Sequence, residues 1–133
     1  MPSLDTNVLV RLIVEDDAAQ SAAALAAISA AVRRSQALHV PVTVVLELEW
    51  VLRSRYRLDA AQIGQTLADL LSSADVELAE ERAVEAALER YRGGKAADFA
   101  DCLHAALAAE SGHAPLLTFD VDAAKLAGVK LIA

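Results

Sequence analysis

Four acidic residues, Asp5, Glu47, Asp101 and Asp120, each lie at the end of, or inside, a strongly apolar stretch of the chain. A carboxylate is costly to desolvate, so such a place holds one only where a helix cap, a cation or water compensates it. Spread from one end of the chain to the other, the four imply a site assembled by folding. With no matching run of Arg or Lys beside them, they imply a divalent cation. Mg2+ and Mn2+ take oxygen ligands in near-octahedral geometry, keep several waters and need few protein carboxylates besides a substrate phosphate. Two such ions about 4 Å apart orient a water and stabilise the leaving oxygen in phosphodiester hydrolysis.

Each acid also has a plainer reading that the residues leave open. An Asp at a helix start accepts backbone N–H bonds and complements the helix dipole, so Asp5, Asp98 and Asp120 read equally as caps. Glu47 falls inside a helical pattern among Val44, Val45, Leu46, Leu48, Trp50 and Val51, where no terminus requires it. Its plain reading is a solvated stripe. Glu49 lies about 200° around the same helix, so only one of the pair can face a given site and the other is expected at the surface. Asp98 and Asp101 share a helix face, Asp98 having the better cap position and Asp101 lying in the first turn, where negative charge is favourable anyway. His104 follows, but hard Mg2+ disfavours nitrogen, and Cys102 reads as a packed thiol.

The elements that must position these acids follow from periodicity. Apolar runs of strand length alternate with longer helical patterns, the signature of βαβ units and a mainly parallel sheet covered on both faces. Strands are expected at residues 2–5, 37–40, 76–78, 115–119 and 129–132, the fourth buried and the last at an edge. Helices are expected at 6–14 with Thr6 as a cap, from Asp16 and Asp17 to near Arg34, and at 43–55. A further helix should follow the capping box of Asp59 and Gln62. Others span 80–91, ended by Gly93 and Gly94, then 98–111, stopped at Gly112, and 121–127, ended by Gly128. Leu25, Ile28 and Val32 give the second helix an apolar stripe. Asp5 and Asp120 then stand at the carboxyl ends of strands, where open parallel sheets form ligand sites.

Composition narrows the field. The 133 residues suit one domain, spanning 1–133, with no linker and no internal repeat. Lys and Arg number 12 against 19 Asp and Glu, a formal charge of −7 that argues against non-specific coating of nucleic acid or attachment to anionic membrane. A nucleic-acid enzyme whose metal supplies positive charge locally stays open. The one cysteine forms no intramolecular disulfide, and a reduced cytoplasmic location is expected. No secretory signal is read, and the longest uncharged run, Ala18 to Val32, is too short to span a bilayer. Aromatic residues are 4% of the chain, too few for base-stacking platforms, so contact with RNA should be mainly to its backbone.

In order along the chain, four motifs resemble those of the PIN-domain ribonucleases, and within them the VapC-like toxins of toxin–antitoxin pairs. Leu4-Asp5-Thr6-Asn7-Val8-Leu9 is similar to the opening strand-to-helix motif, and Leu46-Glu47-Leu48-Glu49-Trp50-Val51-Leu52 to the second, which favours Glu47 over Glu49. The run Asp98-Phe99-Ala100-Asp101-Cys102-Leu103-His104 resembles the third, aligning Asp101 and leaving Asp98 a secondary candidate. Leu116-Leu117-Thr118-Phe119-Asp120 resembles the closing motif.

The resemblance implies a three-layer α/β/α domain with a central, mainly parallel sheet, dimeric, that cleaves RNA with Mg2+ or Mn2+ and is inhibited by a cognate antitoxin in its active-site groove. It implies that Asp5, Glu47, Asp101 and Asp120 hold the metal, with Thr6, Asn7 and Thr118 orienting the carboxylates. Phosphate contacts are sought in Arg53, Arg55 and Arg57, or in Arg90, Arg92 and Lys95, which read equally as ordinary charged helix surface. The competing reading is a catalytically silent PIN-like binding module held by, or regulating, a protein partner. An aspartyl-phosphate mechanism at Asp5 would require a second aspartate at position 7, which is Asn.

Overall fold

The computed structural model describes residues 1–94 and 97–132. The chain forms two compact units, Met1–Ala79 and Glu80–Ala133.

In the first unit, helix α1 (Thr6–Val14) and helix α2 (Ala18–Arg33) precede strand β1 (Leu38–Val40), and helices α3 (Val42–Ser54) and α4 (Ala60–Ser72) lead to strand β2 (Val76–Leu78). The two strands pair in parallel, Leu38 opposite Val76 and Val40 opposite Leu78. The strand expected at 2–5 is reduced to a single parallel bridge between Ser3 and His39, with Leu4 N donating to His39 O and His39 N to Pro2 O, both at 2.8 Å. That bridge still sets the chain in register just before Asp5. Leu9, Val10, Leu38, Val40, Val45, Leu48, Leu52, Ile63 and Leu67 are fully or almost fully buried.

Local chemistry fixes the helix starts. Asp5, in extended conformation, caps α1 by accepting from Thr6 N at 2.7 Å, so the cap is Asp5 and not Thr6. Asp17 caps α2 through Gln20 N, and α4 opens on the capping box, Asp59 Oδ1 accepting from Gln62 N while Gln62 Oε1 accepts from Asp59 N. The expected stripe of α2 is displaced: Ala24 and Ala31 are its buried residues, whereas Leu25 and Val32 are exposed. Leu25 and Val32 lie roughly 80–100° around the helix from the Ala24–Ala31 line. Packing against α1 is through the small residues, and Ser21 Oγ donates to Arg11 O at 2.8 Å at that junction.

In the second unit, helices α5 (Glu81–Arg92) and α6 (Phe99–Glu110) pack extensively on each other, and strands β3 (Leu116–Thr118) and β4 (Val129–Leu131) flank a short 3₁₀ turn, Ala123–Lys125. The helices bury Ala83, Val84 and Ala87 against Phe99, Cys102 and Leu103, and the rings of Tyr91 and Phe99 meet edge to face at 5.4 Å. β3 and β4 are parallel, Leu116 opposite Val129 and Thr118 opposite Leu131. Gly128, at φ 78, makes the turn into β4 while its carbonyl accepts from Leu116 N. The strand read as buried is not: Leu117 is exposed, since β3 has a hydrogen-bonded neighbour on one side only among the described residues.

Among the described residues the architecture is α/β, six helices with short parallel strands. Among the described residues the expected central sheet is represented by two parallel pairs, one in each unit. No helix among them is long and apolar enough to cross a membrane.

Candidate metal centre and acidic clusters

In the first unit the opening of α1 and the middle of α3 are joined by one side-chain bond. Thr6, buried in the first turn of α1, donates from Oγ1 to Glu47 Oε1 at 2.5 Å. Asp5 precedes it as the cap, with Oδ1 taken by Thr6 N and Oδ2 making no hydrogen bond among the described residues. Asp5 and Glu47 are thus tied to the two sides of a single threonine, both exposed to solvent. Asn7 is exposed one step further along α1 and lines a cavity of about 490 Å³ with Val8, Arg11, Ala24 and Leu38, away from that threonine bond.

Glu49 takes the opposite role from Glu47. It is 3% exposed, and Arg53 Nε donates to its Oε2 at 2.9 Å. The pair at i, i+4 explains why a carboxylate is accepted on the buried side of α3. Of the two glutamates, Glu47 is the one at the surface and Glu49 the one inside. The spacing of Glu49 and Arg53 was the signal for this; Arg53, considered as a phosphate contact, is engaged with that carboxylate.

In the second unit Asp98 caps α6, its Oδ1 accepting from Asp101 N at 2.9 Å. Asp101 follows in the first turn, half-buried. Its pKa is raised above the ordinary carboxylate value, first by burial, then by the charge and hydrogen bonding of Asp98 and the charge of Asp120, with His104 acting in the opposite direction. Asp120 Oδ1 accepts from Asp122 N at 2.8 Å and Ala123 N at 3.3 Å, opening the 3₁₀ turn, and Thr118 Oγ1 accepts from Asp120 N at 3.0 Å. The Thr118 hydroxyl therefore fixes the backbone at the point where Asp120 leaves β3. Capping and chemistry are not alternatives for these aspartates: each cap spends one oxygen and orients the other.

Comparison with protein families matches residues 3–129 to the PIN domain. The chain belongs to the PIN domain family. PIN domains are generally nucleases, act on RNA and typically use divalent metal ions. Neither the curated proteins nor the solved structures give a significant match.

Whether the acids of this PIN domain suit a divalent ion can be judged from their chemistry. Among the described residues no three His, Cys, Asp or Glu side chains are gathered into a closed cage. Mg2+ needs none, since it retains waters and takes one or two carboxylates plus substrate phosphate. The donors are all hard oxygens, and burial first, then Asp98 and the charge of Asp120, hold a proton on Asp101 more tightly, a balance that a bound cation would reverse. The donor set fits. Arg90 is half-buried on α5 and Arg92 exposed at its last turn. Lys95 lies outside the described residues.

Proposed function

We propose that this PIN domain is a metal-dependent endoribonuclease and the toxin of a toxin–antitoxin pair, a single domain over 1–133 that works as a cytoplasmic homodimer. Asp5, Glu47, Asp101 and Asp120 hold Mg2+ or Mn2+, with Asp98 contributing beside Asp101. The cation, when bound, supplies Lewis-acid stabilisation of phosphate charge and a water of lowered pKa. The observation that carries the reading is the match of residues 3–129 to a nuclease family, and Asp98 and Asp120 lie near enough to Asp101 for their charges to act on its carboxyl.

The chain's own residues do the positioning. Thr6 donates to Glu47 and so leaves the outer oxygen of that carboxylate to face solvent and substrate. Thr118 and the cap bonds of Asp120 orient its carboxylate in the same way. No side chain is required as a covalent nucleophile, and the absence of an aspartate at position 7 fits hydrolysis rather than phosphotransfer. The cognate antitoxin would silence the enzyme by covering the groove that RNA enters.

The test is cleavage of a defined pool of transfer and ribosomal RNA with Mg2+, with Mn2+ and with chelator, running Asp5→Asn alongside. Discrete, metal-dependent products absent from that variant are expected. Asp5→Asn, Glu47→Gln and Asp101→Asn should each abolish cleavage with the circular dichroism spectrum unchanged. Activity surviving in one of them removes that residue from the site.

A further inference from the structure

Within the first unit, Asp5 and Thr6 open α1 and Glu47 stands in the middle of α3, but the bond from Thr6 to Glu47 is a single point of contact. One such bond leaves two helices free to rock about it. Apolar packing between them is non-directional, and α1 is not closely bedded along its whole length. The cavity of about 490 Å³ runs beside it, lined by Asn7, Val8 and Arg11 of α1 and Ala23, Ala24 and Ala27 of α2. A helix with open space along one side is not held in one place by close packing alone.

A second tie joins the same helices about 7.5 Å further along α1. Arg11 Nη1 donates to Asp16 Oδ1 at 2.8 Å and to the Tyr56 hydroxyl at 3.2 Å, and that hydroxyl donates to Asp16 Oδ2 at 2.9 Å, closing a ring of three side chains. Arg11 Nε is held in turn by Gln20 Oε1 in the first turns of α2. An exposed Arg–Asp pair alone is worth little, but here the half-buried Tyr56, just beyond the end of α3, makes it a tertiary contact. The planar guanidinium gives that contact a direction as well as a length. Glu15 and Arg57, next to Asp16 and Tyr56, both hold left-handed backbone at φ 57 and 55, a conformation that a residue with a side chain keeps only where its surroundings fix it.

We propose that Arg11, Asp16 and Tyr56 are positioning residues: their ring sets α3 against α1 and so holds the Glu47 carboxylate at Thr6, in the place where it serves with Asp5 toward a divalent cation. The cation rests on the metal-dependent reading above; the placing of Glu47 does not. None of the three touches the reacting atoms. They act through the angle between two helices, with Thr6 as the near tie and Tyr56 as the far one.

The experiment compares wild type with Tyr56→Phe, which keeps the ring and removes only the hydroxyl, with Arg11→Lys, which keeps the charge and removes the fork, and with Asp59→Ala, which breaks the distant capping box of α4. The full chain in chelator is followed first, by the NMR signals of the Thr6 methyl and amide and of the Glu47 side-chain carboxyl. Tyr56→Phe and Arg11→Lys should move these signals, and Asp59→Ala should not. Mn2+ is then titrated by its electron paramagnetic resonance signal, and the first two variants should bind it about tenfold more weakly, the lower end of the cost of losing an outer-shell partner. Thr6 and Glu47 signals unmoved by Tyr56→Phe, or moved equally by Asp59→Ala, overturn the positioning role. Moved signals with Mn2+ affinity unchanged overturn its service to the cation. Moved signals in a chain whose wild type binds no Mn2+ sustain the placing of Glu47 while defeating the metal-dependent reading.

Discussion

Thr6 Oγ1 donates to Glu47 Oε1, so a hydroxyl in the first turn of α1 orients a carboxylate in the middle of α3. Removing the donor while keeping its shape isolates what that bond does. Thr6→Val should lower RNA cleavage by about 10–100-fold, the usual cost of losing a group that orients a metal-binding carboxylate, and Thr6→Ser should restore most of it. Stability should fall by about 1 kcal/mol in the valine variant, read by urea unfolding. Equal loss of activity in Val and Ser variants would show that packing of the methyl, not the bond, matters.

Asp101 makes a prediction about pH. Its pKa in the folded protein lies above the ordinary carboxylate value, chiefly through burial and then through Asp98 and Asp120. The folded state therefore holds this proton more tightly than the unfolded chain. Stability is greatest below the unfolded pKa and falls as pH rises from there through the folded one. Thermal unfolding in chelator should show that decline, and Asp101→Asn should flatten it and melt at least as high as wild type at pH 7. Added Mg2+ should raise the melting temperature of wild type and not of the variant. A steeper pH dependence in the variant would contradict the assigned cause.

Glu49 and Glu47 should respond oppositely to substitution. Glu49 is inside and paired with Arg53, so Arg53→Ala weakens the compensation of a buried carboxylate and should cost about 1–3 kcal/mol, less than a fully buried pair because Arg53 is itself half exposed. Glu47→Gln changes an exposed group and should alter stability by under about 0.5 kcal/mol while abolishing cleavage. Urea titrations of the two variants decide this. A large loss in Glu47→Gln would make that residue structural.

Cys102 is fully buried between the packed faces of α5 and α6, and burial pushes its thiol pKa up. The thiolate is the reactive form, so a thiol reagent at pH 8 should label the native protein only as fast as it opens. Labelling should become complete in denaturant. Rapid modification of the folded protein would mean that the α5–α6 contact is looser than described.

Much of this was legible in the residues. Helix starts were readable wherever a local side chain makes them, as at Asp17, Asp59 and Asp98, because a cap is a contact between residues three apart. The α1 boundaries are equally local, its cap being a bond between neighbours, Asp5 and Thr6, with Asp5 rather than Thr6 as the cap. The apolar stripe of α2 does not mark its buried face, because periodicity favours the largest apolar residues, Leu25 and Val32, while close approach to α1 selects alanines. The fate of the two glutamates on α3 turned on the same distinction between pattern and packing.

By itself the sequence determined the order of the α-helices, the α/β class, the acids worth weighing and the family motifs, since these are written in periodicity and in contacts a few residues long. Only the tertiary structure decided that Thr6 meets Glu47, that Arg53 is committed to Glu49, that Asp98 and Asp120 act on Asp101, and that Arg90 Nη1 is buried without an acceptor among the described residues. The first and third of these join residues on different elements, and the others depend on which side of a helix is packed. Each is set by how faces are buried against one another, and a single chain carries no local record of that choice.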